Sequence, residues 1–337
     1  MKIEERKPFK ILCIDGGGIK GLFSAQVLAK FEEVFNTEIT EHFDLICGTS
    51  TGGIIALAAS VKIPMHDVVD FYKSKGPLIF AQNKKSRWGQ LLLKFKQLFY
   101  KGKYDNTELK KALTEVFGCR KISESSNLLC IPAFDIIHAT PRVFKKDYNN
   151  FTEDNGKRYV DVALATSAAP TYLPIHNIDS SQFVDGGVWA NNPSLVGLME
   201  YLYQFADDER FNGVDILSIS SLELPQGGTF RKTSNSFADW GAGLIDLFSI
   251  GQAKSMEKLF HFLDGKFKFP MRYVRIANSS LSPQQIQLID MDNASKASLD
   301  LLQSIGIQTA VNAKMNQEVI NFFVTKKNNI DKVIYGK

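Results

Sequence analysis

Short apolar runs that end in glycine set the pattern of this chain. Phe9–Ile14 is apolar apart from Lys10 and runs directly into Asp15-Gly16-Gly17-Gly18-Ile19-Lys20-Gly21. Leu22, Phe23, Val27, Leu28, Phe31, Val34 and Phe35 then recur at a helical period. Phe43–Cys47 is a second apolar run, entering Gly48-Thr49-Ser50-Thr51-Gly52-Gly53, and Ile54–Leu57 continues as helix-compatible sequence. The opening therefore predicts strand, glycine loop, helix, strand, glycine turn, helix, which is the grammar of a parallel sheet with crossover helices.

The same reading continues downstream. A helix containing Asp67–Tyr72 begins after Pro64, and Asp105-x-x-Glu108 predicts a capping box opening a helix to Phe117. Leu128–Ile137 is a strongly apolar strand with Arg142–Lys146 as its pairing partner, followed by a polar loop over Lys145–Lys157. Val160–Ala169 reads as a helix stopped by Pro170, and Gln182–Val184 as a strand running into Asp185-Gly186-Gly187. Pro193–Phe205 is a helix with proline at its start, where a missing N–H costs least. Val214–Ser220 and Met271–Ile276 are strands, Leu224–Ser236 is a loop, Phe237–Leu263 is mostly helical, and Ser295–Thr325 gives one or two helices. With no internal repeat or low-complexity linker, residues 1–337 read as one domain. Its catalytic core spans about 9–205, and C-terminal strands and helices span 206–337.

The segment 76–103 differs in kind: it carries Lys84, Lys85, Arg87, Lys94, Lys96, Lys101 and Lys103 and no acidic residue. Leu91, Phe95 and Leu98 share one helical face beside Trp88. The alternatives are a surface helix packed on the core with solvated lysines opposite, a basic amphipathic contact with an anionic membrane, or a lid over the site.

Composition narrows the function classes. The 337 residues are 44% hydrophobic, enough for a large core, and 40 basic residues face 36 acidic ones for a net +4. That balance argues against a nucleic-acid polymer as partner. Met1–Lys10 is charged and polar, and no apolar run nears the roughly 20 residues of a membrane span. The expectation is a cytoplasmic protein with peripheral membrane association. Cys13, Cys47, Cys119 and Cys130 lack metal-ligand spacing and read as small buried hydrophobes, so neither a metal nor a cofactor is expected.

Candidate chemistry sits in the glycine segments. Gly48-x-Ser50-x-Gly52 between strand and helix fits a nucleophile elbow, a strained turn that lifts one serine hydroxyl into a cleft. Gly16-x-Gly18-x-x-Gly21 also spells a dinucleotide fingerprint, the signature of a nucleotide-binding oxidoreductase. That fingerprint wants a carboxylate at the end of the second strand, and Asp44 stands at the wrong end. Beside a serine elbow, the exposed N–H groups of a triple glycine serve better as an oxyanion hole. A non-catalytic binding module is the third reading. The serine needs a base. His261, the one late histidine, lies mid-helix, and His176 follows Pro174 in a loop. Asp185 ends a strand, and Gly186-Gly187 leave its carboxylate uncrowded at the sheet edge where Ser50 also lies. An ordinary Asp-Gly turn is the alternative.

Taken together and in this order, Asp15–Gly21, Gly48–Gly53 and Asp185-Gly186-Gly187 resemble the patatin-like phospholipases. Ser167–Pro174, Asn191-Asn192-Pro193 and Met291–Ser295 support the likeness over nearly the whole chain. The resemblance implies a three-layer α/β/α fold with a mainly parallel sheet and a Ser–Asp dyad without histidine. Ser50 would be nucleophile and Asp185 base, with the backbone N–H groups of Gly16, Gly17 and Gly18 as oxyanion hole. The implied reaction is hydrolysis of fatty-acyl esters of membrane glycerolipids through an acyl-serine, without metal. Two departures stand out. Lys20 occupies a position where the family commonly has arginine, and Ser220–Leu224 replaces a glycine-containing turn. In overall build the chain is similar to bacterial anti-phage effector phospholipases switched on by a cyclic dinucleotide and directed at the cell's own membrane. That likeness adds a cyclic dinucleotide to membrane phospholipid as partners, and a homodimer is compatible with it.

Overall fold

The computed structural model describes residues 6–81, 103–223 and 243–328. Eight strands join in one sheet: β1 (Lys7–Ile14), β2 (Leu45–Gly48), β3 (Leu128–Asp135), β4 (Thr140–Lys145), β5 (His176–Ile178), β6 (Ser181–Asp185), β7 (Phe211–Ile219) and β8 (Met271–Ile276). Their order is β5-β6-β3-β2-β1-β7-β8, with β4 paired to β3. The centre is parallel, from β3 through β2, β1 and β7 to β8, while β4, β6 and β5 add antiparallel pairs.

Alternate residues of the central strands serve two cores. Leu12, Ile14, Ile46, Leu129 and Ile131 pack on one face with α1 (Gly21–Phe35), α2 (Thr51–Ser60) and α3 (Met65–Ile79). Phe9, Ile11, Cys13, Cys47 and Cys130 pack on the other face, with Tyr201 and Phe260. Burial on both faces is why these strands read as continuous apolar runs rather than alternating ones, and it gives the expected three layers. Among the described residues no helix is long and apolar enough to cross a membrane.

Several expectations shift. The helix after Pro64 runs on to Ile79 with Pro77 in its last turn, so the start of the basic segment belongs to α3. Residues 82–102, with Trp88 and the Leu91 face, lie outside the described residues, as does the 224–236 loop. The next helix, α4, is Thr107–Phe117, with Asn106 at its N-cap and no side-chain cap bond; Asp105 instead takes the Thr107 N–H at 2.7 Å, an Asx-type turn. The helix expected over 160–169 is α5 (Tyr159–Thr166), ending three residues early. The sequence reading contained neither β5, which holds His176, nor the short α6 (Gly187–Ala190). The next two helices, α7 (Ser194–Gln204) and α8 (Gly243–Leu263), lie where expected. Cys119 is exposed, whereas Cys13, Cys47 and Cys130 are buried neighbours across β1, β2 and β3.

Candidate active site

The elbow is strained at one residue. Ser50 holds φ 54° and ψ −123° at the start of α2 and is 7% exposed. A positive φ is costly for a residue with a Cβ, and here it aims the serine side chain out of the strand-to-helix turn. The two glycines have steric reasons. A Cβ on Gly48 would strike the Gly52 backbone, and one on Gly52 would strike the Ile14 and Asp15 carbonyls. The elbow therefore packs directly against the end of β1.

Sheet register brings Asp185 to it. Cys130 of β3 pairs with both Cys47 and Lys145, so β2 and β4 lie on opposite edges of β3. Ala133 pairs with both Arg142 and Asp185, so β6 also lies opposite β4. It follows that β2 and β6 share one edge of β3, end to end. Because β6 is antiparallel, its last residue, Asp185, points back toward the end of β2. The segment closing α5 holds both partners. Thr166 Oγ1 accepts the Ser50 N–H at 3.0 Å, the Thr166 carbonyl accepts the Gly186 N–H at 3.3 Å, and the Ala168 carbonyl accepts the Asp185 N–H at 3.0 Å.

Asp185 is 5% exposed. Burial pushes its carboxyl up to about 6, and the Ser50 hydroxyl and the Gly187 N–H, the latter 2.7 Å from Oδ1, pull against that. The two side chains that the sequence singled out are thus held beside the same closing segment of α5. Among the described residues, no histidine lines the cleft at Ser50. His176 faces Asp161 at 3.4 Å in β5, and His261 is exposed on α8.

The glycine loop is held from several directions. The buried Asp15 carboxylate receives two bonds from Arg275 of β8, at 2.9 and 2.6 Å, and Arg275 also reaches Ser218 and Glu223. The Gly16 N–H is taken by the Asn191 carbonyl at 3.0 Å, and the Gly16 carbonyl accepts the Ser221 hydroxyl at 2.6 Å. Gly18 adopts φ 59° against the Met291 carbonyl, which also accepts the Ile19 N–H at 2.9 Å. Among the described residues, no backbone carbonyl is recorded as accepting from the N–H groups of Gly17 and Gly18. Where the family usually places a glycine-containing turn, Leu222 takes φ 67°, the conformation a glycine would adopt without strain.

Ser50 opens into an apolar cleft of about 630 Å³, mouth included, walled by Phe71, Tyr72, Ile79, Phe80, Leu109 and Tyr172. Sequence reasoning missed Thr166, Arg275 and the Met291 carbonyl. Nothing local marks them, since each acts through a contact made only in the folded sheet. Among the described residues no cluster of His, Cys, Asp and Glu is placed to hold a metal ion.

An elbow serine and a desolvated carboxylate at an apolar cleft form an arrangement suited to acyl esters with apolar chains. The family model described as patatin-like phospholipase matches residues 12–198. The chain belongs to the patatin-like phospholipase family and is a lipid-hydrolysing enzyme. It is 32% identical over 309 residues to a cGAMP-activated phospholipase of Pseudomonas aeruginosa, covering 90% of this chain and 89% of that one. A cGAMP-activated phospholipase of Vibrio cholerae is 30% identical over 341 residues, covering 93% and 94%. Among solved structures, human GIVD cytosolic phospholipase A2 aligns with a TM-score of 0.44 at 10% identity, over 94% of this chain and 60% of that one.

Proposed function

We propose that this chain is a phospholipase of the A type that works through a Ser50–Asp185 dyad and is switched on by a cyclic dinucleotide. Asp185 takes the Ser50 proton as the hydroxyl oxygen attacks the ester carbonyl. The N–H groups of Gly17 and Gly18 receive the oxyanion; Gly16, whose own N–H is spent on Asn191, shapes the loop instead. On collapse the glycerol oxygen leaves with the proton from Asp185, and the acyl group stays on Ser50. Water then gives its proton to Asp185, attacks the acyl-serine and releases the fatty acid, returning the proton to Ser50. The acyl chain lies in the apolar cleft.

One observation carries this reading: the sheet register and the segment closing α5 hold the strained Ser50 and the buried Asp185 together, and burial raises that carboxyl to about 6. The activator comes from the relatives named cGAMP-activated phospholipases. We extend it to an anti-phage role at the cell's own membrane. Peripheral membrane contact, as monomer or homodimer, belongs to the same proposal; Leu78, 54% exposed where α3 meets the basic segment, supports it.

The test is fatty-acid release from phosphatidylglycerol and phosphatidylethanolamine vesicles, with and without cGAMP, by the full chain. Ser50→Ala should lose about a thousandfold or more of the stimulated rate. Release that persists in Ser50→Ala overturns the dyad, and release indifferent to cGAMP removes the activator while leaving the hydrolase.

A further inference from the structure

The cleft at Ser50 has a continuation. A second apolar hollow, of about 350 Å³ with its mouth, shares Ile54 and Phe71 with it. Both lie between α2, α3 and α4. Along α2 the lining passes from Thr51 and Ile54 in the cleft to Ala58 in the hollow. Along α3 it passes from Ile79 and Tyr72, through Phe71, to Val68 and Asp67, and along α4 from Leu109 to Leu113 and Phe117. Each helix thus carries the lining a turn or so beyond the cleft. The two hollows succeed one another along a single groove, with Ile54 and Phe71 at the join.

The far hollow is lined for hydrocarbon. Ala58, Val68, Leu113 and Phe117 are buried, and Val116 stands half-buried at its edge. Among the described residues that line it, Asp67 is the one that carries a charge; its side chain is more than half exposed and meets His66 at 3.0 Å. An alkyl chain passing Asp67 would strip water from a carboxylate, so the apolar path ends there.

We propose that this hollow takes the distal end of the substrate's acyl chain, past Ile54 and Phe71, and so makes the enzyme selective for long chains. The inference rests on the acyl-serine reading, which fixes the ester carbonyl at Ser50. From Ser50 to Ala58 the helix rises about 12 Å. An extended alkyl chain advances ~1.3 Å per carbon, so about ten carbons reach the depth of Ala58. An octanoyl chain therefore ends inside the cleft, and a dodecanoyl chain enters the hollow. Each methylene that leaves water for such a lining should raise kcat/KM by up to about fourfold.

The test uses p-nitrophenyl esters from butyrate to dodecanoate, kept below the concentration at which they aggregate, with the full chain and cGAMP present. In wild type, kcat/KM should keep rising beyond octanoate, with dodecanoate ahead by about tenfold or more. A wild-type profile that is flat or falls from octanoate to dodecanoate overturns the proposal without any variant. Ala58→Leu fills the hollow from α2, and Val116→Trp fills it from its half-buried edge. Either should lower the dodecanoate-to-octanoate ratio by about tenfold while moving the hexanoate-to-butyrate ratio by less than about twofold, because those shorter chains end short of the join. Variants that melt cooperatively and leave the first ratio within about twofold of wild type, or that lower both ratios equally, would mean that the chain does not lie in the hollow. Failure of the underlying reading looks different: turnover of every ester that Ser50→Ala leaves intact.

Discussion

Asp185 is the proposed base, and its burial sets both its basicity and its cost. An ordinary aspartate near 3.8 is a feeble base, whereas one at about 6 is still mostly ionised at neutral pH and is basic enough to hold a proton from Ser50 in the proposed reaction. The kcat/KM profile should therefore rise with pH through about 6. The same shift has a stability consequence. Between 3.8 and about 6 the folded chain binds a proton that the unfolded chain has released, so Asp185 subtracts stability as pH rises through that window. Moving a carboxyl that far amounts to about 3 kcal/mol at most, an upper bound because the Gly187 N–H also loses its charged acceptor. Asp185→Asn should thus melt higher than wild type at pH 8, by the equivalent of about 1–3 kcal/mol, with the gain vanishing below pH 4. It should also lose most ester hydrolysis. Denaturant curves at the two pH values test this, and an Asn variant that is less stable at pH 8 would mean that the carboxylate is not held against a desolvation penalty.

At the scale of elements, the elbow is a joint between β1, β2 and α2, and its glycines are clearance rather than flexibility. Gly52→Ala would drive a methyl group into the Ile14 and Asp15 carbonyls, which belong to backbone that cannot swing away. It should cost about 2–4 kcal/mol of stability and lower activity per folded molecule, since α2 and Ser50 move with it. Gly118→Ala is the control for backbone conformation without a clash, since its φ is 56° and nothing lies within 4 Å. If the two variants lose equal stability by thermal melt, packing at the elbow is not the cause. This joint was legible in the sequence because strand, glycine pattern and helix are contiguous there. So was Asp185 as a strand end with glycines after it. That Asp185 lies near Ser50 was only inferable, because it depends on β6 sharing an edge of β3 with β2, pairings between segments far apart in the chain, such as Leu45 with Leu128 and Ala133 with Asp185. The Arg275 clamp and the Thr166 tether were illegible for the same reason. One of two arginines in a strand, or a threonine closing a helix, has no local feature that names its partner.

For the whole molecule, the sheet separates chemistry from anchorage. The ends of β1 and β2 that lead into the glycine loop and the elbow carry the candidate site, while the other end of β1 carries a clamp. Lys10 is 2% exposed, and its ammonium donates to the Phe322 carbonyl at 2.9 Å and to the Thr325 carbonyl and hydroxyl at 2.7 Å. These acceptors close the C-terminal helix Gln317–Val324, where a positive charge also suits the helix dipole. Asp44 adds to the clamp by taking the Lys10 and Asn328 N–H groups. Burial pulls the Lys10 ammonium down to about 8, with Asp44 opposing, so the clamp is held at a cost. Lys10→Met keeps the length and apolar stem but strands the buried Phe322 carbonyl and leaves the Thr325 carbonyl only His42 as a side-chain partner, which should cost about 1–3 kcal/mol and expose the chain after Phe323 to protease. From Lys10 to Asp15 is five residues of strand, about 17 Å, with the rigid centre of the sheet between. Activity per folded molecule should therefore stay within about twofold of wild type at temperatures where circular dichroism shows the variant folded, even as the melting point drops. Loss of turnover in fully folded Lys10→Met would mean that the clamp is coupled to the glycine loop along β1, and that anchorage and chemistry are not separate ends of one sheet.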